Sequence, residues 1–181
     1  MSENTKKTVV VYRTKYGSAK RYAQWIAEEV KADLFDGKRA TINDLLKYDT
    51  IVYGGSMYAV GILGIDLIKS HFGQLKSKKV IVFSVGASPA YPQAIQAVKE
   101  RNFTGEMKDK VHFFHVRGAF DYKGLNPIDK LMMFLLKKKI QLKKPEQREN
   151  DEIGMLASYA RPTDWTDKKS IQPIVDCILN D

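Results

Sequence analysis

Residues 9–23 read VVVYRTKYGSAKRYA, and this stretch decides the fold class. Its first four residues are β-branched or aromatic and predict a buried strand. A short polar turn follows, after which apolar residues recur with a 3.6-residue period up to Val30, as in an amphipathic helix. A strand that turns directly into a helix points several backbone N–H groups, and the positive end of the helix, at one place. The stretch therefore predicts an α/β protein with an anion site at residues 14–19.

The composition of this turn narrows the choice of anion. It lacks the three glycines of a dinucleotide fingerprint and the Gly-Lys-Ser/Thr ending of a P-loop. A single phosphate group fits what remains, because Thr14 and Ser18 can donate hydroxyls and the N–H groups through Ala19 can wrap around it. Lys15 either adds charge or extends into solvent. The alternative is an ordinary strand–turn–helix with an unliganded cap.

Five short runs are apolar throughout, which is typical of parallel strands covered on both faces. These predicted strands are residues 9–12, 32–35, 50–55, 79–85 and 111–116. Helices are predicted at residues 19–30, 41–46, 62–72, 91–101, 129–140 and 165–179. Because parallel crossovers are right-handed, few topologies remain. We expect one α/β domain over residues 1–181, a three-layer sandwich whose five-stranded parallel sheet has the order 2-1-3-4-5. A helical insert at about residues 121–160 is expected after strand 5.

In such a sheet, ligands bind beyond the carboxyl ends of the strands, next to the switch point between strands 1 and 3. Three segments should therefore converge on one ligand. The first is the loop Thr14, Lys15, Tyr16, Gly17, Ser18 and Ala19. The second is Ser56, Met57, Tyr58 and Ala59, in which Tyr58 could cover a flat ring and Ser56 could hydrogen-bond its edge. The third is Ser84, Val85, Gly86, Ala87 and Ser88, which would line the opposite face with backbone groups.

Bulk composition excludes several classes of protein. The chain has 181 residues, a net charge of +9 and a single cysteine, so an internal disulfide cannot form. The polar N-terminus and the absence of an apolar run near 20 residues favour a cytoplasmic protein. No nucleic-acid-binding motif accompanies the basic charge. The three histidines lack the spacing of metal ligands, so no metal site is predicted.

Taken together, these segments resemble the flavodoxin superfamily. The phosphate loop, residues 53–58 (YGGSMY) and residues 117–122 (RGAFDY) carry the resemblance. Within that superfamily the chain is similar to the menaquinone-dependent protoporphyrinogen oxidase group, through Gly118-Ala119-Phe120, the helix at 129–140 and Thr163-Asp164-Trp165. It departs from that group in residues 142–160, which are longer and more charged.

The resemblance implies a flavodoxin-like fold and FMN as the cofactor. It also implies an FMN-dependent oxidoreductase, with protoporphyrinogen IX as a candidate substrate and a quinone as electron acceptor. The alternative function is a flavodoxin-type electron carrier without a small-molecule substrate of its own. Carriers of this type tend to be acidic, and the charge of +9 counts against that alternative. No residue stands out as a proton-transfer catalyst.

The insert concentrates the basic charge. Residues 123–148 hold eight lysines or arginines and two acids, a net charge of +6. Within them, Ile128, Leu131, Met132 and Leu135 form an apparent apolar stripe, and further apolar residues surround it. An apolar helix flanked by lysines can lie on an anionic membrane, so residues 128–144 predict peripheral membrane contact. The alternatives are packing on the sheet edge or in a homo-oligomer.

Overall fold

The structure is a computed structural model that describes residues 6–58 and 61–180. The strands are β1 Thr8–Arg13, β2 Asp33–Asp36, β3 Thr50–Tyr58, β4 Gly61–Ile62, β5 Lys79–Gly86, β6 His112–Arg117, β7 Ala119–Phe120 and β8 Thr163–Asp164. The helices are α1 Ser18–Val30, α2 Ile42–Leu45, α3 Asp66–Lys69, α4 Phe72–Leu75, α5 Pro92–Asn102, α6 Met107–Lys110, α7 Pro127–Leu142, α8 Asn150–Ser158 and α9 Gln172–Leu179. Two 3-10 turns cover Pro145–Gln147 and Lys168–Ile171.

The main sheet has the strand order β2-β1-β3-β5-β6, and all of these pairs are parallel. This confirms the predicted order 2-1-3-4-5, since the short β4 was not among the predicted strands. β4 pairs antiparallel with the end of β3, which exceeds its predicted length and reaches Tyr58. The carboxyl ends of β1, β3, β5 and β6 consequently open at one edge of the sheet.

Alternate residues of each central strand face opposite layers, and both faces are covered. Val9, Ile51 and Val80 pack with α3, α4 and the α5–α6 region on one side. On the other side, Val10 and Val52 pack against α1 and α9. Gly54 permits close contact inside this sheet, because a Cβ there would lie 2.0 Å from the Phe83 ring. The chain therefore forms the three-layer α/β sandwich that the apolar runs predict.

Two predicted helices were wrong in extent. Instead of a helix over 62–72, the chain has β4, a turn with Gly64 at φ +74°, and the short helices α3 and α4. Pairing of Gly61 and Ile62 with β3 takes the first residues out of any helix. The predicted helix 165–179 begins only at Gln172 after a 3-10 turn. Pro173 then sits in the first turn of α9, where its missing N–H costs nothing.

A helical insert follows β6, as predicted. The small strands β7 and β8 bracket it, pairing Ala119 with Asp164 and Phe120 with Thr163. Between them, α7 and α8 pack around a small core of Phe120, Leu125 and Tyr159. The Tyr159 hydroxyl donates a 2.6 Å hydrogen bond to the Met133 carbonyl, which ties the two helices together. No helix within the described residues is both long and apolar enough to cross a bilayer.

Candidate functional site

A cavity of about 390 Å³ opens at the carboxyl edge of the sheet, under α7. This volume lies within the range of roughly 300–1,000 Å³ that small-molecule sites occupy. Its wall includes residues from all three predicted segments, namely Lys15, Tyr16, Ser18, Ser56, Met57, Tyr58, Val85, Gly86 and Ala87. The three segments thus meet at one place, as the topology predicts.

The loop before α1 is arranged around Gly17. This glycine caps the helix with a left-handed φ of 96°, and its N–H donates a 2.9 Å hydrogen bond to Thr14 Oγ1. Ser18 Oγ accepts a 3.0 Å hydrogen bond from the Ala119 N–H, which leaves the Ser18 O–H free to donate. The first-turn N–H groups of α1 have no partner inside the helix. Thr14, Gly17 and Ala19 do not line the cavity, and Ala19 is buried against the sheet.

A cluster around Asp129 joins this loop to α7. The Lys15 ammonium lies 2.8 Å from Asp129 Oδ1, and the Tyr16 hydroxyl donates to Oδ2 of the same carboxylate. Asn126 caps α7 by accepting from the Asp129 N–H, and its amide donates to Oδ2. Burial alone would raise the pKa of the Asp129 carboxyl, but the hydrogen bonds from Lys15 and Tyr16 outweigh it and hold the pKa below its usual value. Asp129 is therefore an anion that fixes the position of a loop lysine.

Tyr58 stands at the rim of the cavity. Its ring is 43% exposed, and Lys15 Nζ lies 4.0 Å from the ring centre. Ser56 Oγ accepts a 3.2 Å hydrogen bond from the Lys15 N–H, so the second segment is joined to the first. Ala59 falls outside the described residues. Ring stacking by Tyr58 stays a prediction.

The third segment divides into two parts. Val85, Gly86 and Ala87 line the cavity, whereas Ser84 is fully buried and Ser88 faces a neighbouring cavity. The Ser84 hydroxyl lies 2.8 Å from His115 Nδ1, and His115 Nε2 lies 3.0 Å from the Ser88 carbonyl. Because a carbonyl only accepts, Nε2 carries the hydrogen and Nδ1 accepts from Ser84. The side chain of Ser84 is consequently engaged inside the protein and does not reach the cavity.

One wall of the cavity went unpredicted, and α7 supplies most of it. Asp129, Met132, Met133 and Leu136 face inward at helical spacing, joined by Phe120 and Met155. Of the predicted stripe, Ile128, Leu131 and Leu135 point to solvent, and Met132 lines the cavity while about half exposed. Helix α7 has apolar residues on most of its circumference, so the spacing of apolar residues could not identify the face that lines the cavity. Asp129, an acidic residue within an apolar helix, was the available signal.

A second cavity of about 260 Å³ adjoins the first and shares Ala87, Leu136 and Met155 with it. Arg117 lies here with its guanidinium carbon 4.3 Å from the centre of the Trp165 ring, and its Nε donates to the Ala87 carbonyl. Asp151 Oδ1, on the same wall, is buried without a hydrogen-bond partner among the described residues. This neighbouring cavity offers a planar cation, an aromatic ring and an unsatisfied acceptor.

Residues 9–148 match the family model described as a flavodoxin domain. Because this match covers more than half of the chain, the protein belongs to the flavodoxin-domain family. The strand order and the position of the cavity agree with that membership. A comparison with curated proteins found no significant match.

Several solved flavoproteins are similar to this chain at low sequence identity. The Trp repressor binding protein from Bacillus subtilis is 15% identical, with a TM-score of 0.48 over 76% of this chain and 99% of that chain. A Lactobacillus acidophilus flavoprotein in complex with FMN is 19% identical, with a TM-score of 0.40 over 62% and 93%. The two-electron reduced flavodoxin of Megasphaera elsdenii is 22% identical, with a TM-score of 0.40 over 60% and 85%. These values transfer neither ligand nor activity to this chain.

Proposed function

We propose that the protein is an FMN-binding oxidoreductase. The observation that carries this proposal is the cavity in which a helix N-terminus, two strand-end loops and an apolar helix wall meet. FMN requires an anion site for one phosphate and a flat, mainly apolar slot for its ring. The Ser18 hydroxyl and the first turn of α1 supply the former, and Met57, Tyr58 and Met132 border the latter.

Within this proposal, the chain's residues hold and orient the cofactor. Ser18 and the N–H groups of the α1 turn hold the phosphate. The charge of Lys15 is paired with Asp129, and its ammonium lies 4.0 Å from the centre of the Tyr58 ring, so Lys15 borders the ring slot. Backbone groups of Val85 to Ala87 and the Ser56 hydroxyl can hydrogen-bond the ring edge. When bound, FMN supplies the electron-transfer chemistry, so no catalytic side chain needs to react. The methionine and leucine side chains of α7 would cover one side of the ring slot.

The finer proposal concerns the substrate. We infer that it is an anionic aromatic or porphyrinogen, such as protoporphyrinogen IX, with a quinone as acceptor. Arg117 in the neighbouring cavity supports this inference, because its guanidinium can pair with a carboxylate, whereas Asp151 and Glu152 on the same wall oppose an anionic group. The basic segment 123–148 would also attract the propionates of such a substrate. The electron-carrier alternative requires neither Arg117 nor the second cavity.

The test begins with the cofactor. Titration of the purified protein with FMN and with riboflavin, followed by flavin fluorescence, should show tight binding of FMN and much weaker binding of riboflavin. The loaded protein is then mixed anaerobically with protoporphyrinogen IX, and a menaquinone analogue is added. Bleaching of the flavin absorbance followed by its recovery supports the enzyme. Absence of flavin binding would overturn the whole proposal, and binding without bleaching would overturn only the substrate assignment.

A further inference from the structure

Helix α7 carries apolar residues toward the cavity and also away from it. The side toward the cavity has Met132, Met133 and Leu136, of which Met132 and Leu136 are 51% and 39% exposed. The outer ridge, defined as Ile128, Leu131, Leu135 and Leu142, carries side chains that are 70%, 59%, 56% and 87% exposed. Four large aliphatic side chains in one row at this exposure form a patch of the kind that marks an interaction site.

Two lysines flank this ridge. With 100° of rotation per residue, Lys138 lies about 50° to one side of the centre of the outer ridge and Lys139 about 50° to the other. Both side chains are on exposed residues. Lys143 and Lys144 follow at the carboxyl end of α7, where Lys143 pairs with Glu152 at 2.5 Å. The arrangement is an apolar strip with one lysine on each side and two more at its carboxyl end, which resembles helices that lie in the plane of a membrane interface.

We propose that the outer ridge docks on an anionic lipid surface, with α7 parallel to the membrane plane. An anionic bilayer satisfies both features, since the acyl region takes up the leucines and the headgroups pair with the lysines. A second copy of this chain fits less well, because it would bring two basic segments of +6 charge together. This surface does not depend on which cofactor or substrate the cavity holds.

Docking would place the cavity beside the membrane. The inward and outer faces belong to one helix about 10 Å across. A lipid-soluble reactant that leaves the bilayer at α7 would therefore enter the cavity past Met132 and Leu136 without crossing bulk solvent.

The experiment is sedimentation of the full-length protein with phosphatidylcholine vesicles, with and without phosphatidylglycerol. The wild type should bind the anionic vesicles and bind the neutral ones weakly. The variant L131E/L135E should lose this binding. L179E is the matched control, because Leu179 is 68% exposed on α9, outside the outer ridge, and its substitution should leave binding unchanged. Lys138→Gln and Lys139→Gln should each weaken binding about fivefold at low salt.

Other outcomes would overturn the proposal. These are failure of the wild type to bind anionic vesicles, or equal binding by wild type and L131E/L135E. Light scattering of the lipid-free protein provides a further check. A dimer that dissociates in L131E/L135E would assign the outer ridge to a second copy and likewise overturn lipid docking. Circular dichroism and thermal unfolding of each variant show that the fold is intact, as expected for substitutions of exposed side chains.

Discussion

Lys15 and Asp129 are 114 residues apart in the chain, yet the ammonium of Lys15 lies 2.8 Å from Oδ1 and 2.7 Å from Oδ2 of the carboxylate. The pair connects the loop before α1 to the helix that covers the cavity. The Asp129 side chain is 7% exposed and that of Lys15 is 31% exposed, so solvent screens the interaction only in part.

The pair should be measurably coupled. In a double-mutant cycle of Lys15→Met and Asp129→Asn, we expect a coupling free energy of about 1–2 kcal/mol, because both partners lose a charge-assisted hydrogen bond. Urea unfolding of the four proteins gives this value. The equivalent cycle on Lys47 and Asp44, in which the lysine is largely exposed and lies 3.5 Å from the carboxylate, should give a clearly smaller coupling. Strict additivity of Lys15→Met and Asp129→Asn would contradict the prediction.

Ser18 should contribute to phosphate recognition specifically. We expect Ser18→Ala to weaken FMN binding about tenfold through the lost hydroxyl donor, with a smaller effect on riboflavin. The ratio of the two dissociation constants, from fluorescence titrations, is the informative measurement. General loosening of the site would weaken both ligands equally and leave the ratio unchanged. Thr104→Ala, a substitution on an exposed residue that precedes α6, serves as the control and should keep the wild-type ratio.

His115 should make stability depend on pH. Burial lowers the pKa of His115 below the usual 6.5. The positive charge of nearby Arg117 lowers it further, whereas the hydrogen bond to the Ser88 carbonyl partly offsets the decrease. The unfolded chain therefore takes up a proton at a higher pH than the folded chain. Stability is accordingly full above about pH 7 and falls as the pH drops through the unfolded pKa toward the lower folded value.

The measurement is the free energy of unfolding in urea at a series of pH values between about 7.5 and 5. His115→Gln should flatten this dependence, because glutamine can still accept from Ser84 and donate to Ser88 without titrating. His112→Gln, on an exposed residue of the same strand, should retain the wild-type slope. If His115→Gln showed the same dependence of unfolding free energy on pH as the wild type, His115 would not be the source of that dependence.

Packing between neighbouring strands should make Gly54 intolerant of a side chain. A Cβ at this position would lie 2.0 Å from Cζ of Phe83, which is fully buried on the paired strand β5. We expect Gly54→Ala to lower the free energy of unfolding by about 1–3 kcal/mol or more. Gly73 in α4 has open space around its Cβ position, so Gly73→Ala should be neutral or slightly stabilising. Equal effects of the two substitutions would disprove the steric explanation.

With the substrate proposed above, Arg117 should contribute to substrate binding and leave FMN binding unaffected. Arg117→Met should leave FMN affinity within about twofold and lower kcat/KM for protoporphyrinogen IX by about 10–100-fold, the effect of losing a charged hydrogen bond. Anaerobic flavin-bleaching kinetics provide the measurement. Arg101→Met, on an exposed residue of α5, is the matched control. Unchanged kinetics of Arg117→Met would show that the second cavity does not bind the substrate.

The sheet was predictable because its signal is local. Val9 to Val11, Ile51 to Tyr53 and Val80 to Val82 are each buried on both faces, so each strand is an uninterrupted apolar run. The predicted order of strands then followed from chirality and connection rules. The helix predicted at 41–46 also has a local signal, since Thr41 forms a capping box with Asp44.

The wall above the cavity could not be predicted because its signal is non-local. The role of Asp129 depends on Lys15 and Tyr16, which only the folded chain brings near it. In α7, apolar residues occupy both the inward face and the outer ridge, so an apolar pattern could not distinguish them. Ser84 illustrates the converse error, since its position at a strand end favoured the ligand, whereas its hydroxyl belongs to His115.

The pairing of β7 with β8 brings the two ends of the insert side by side, at the strand spacing of about 4.8 Å. Residues 121–162 therefore begin and end at neighbouring positions on this separate two-stranded sheet. Such a segment can change in length while the five parallel strands keep their order. Because the insert also supplies Asp129, Met132, Met133, Leu136 and Met155 to the cavity, exchanging it would change the ligand wall and the outer surface together.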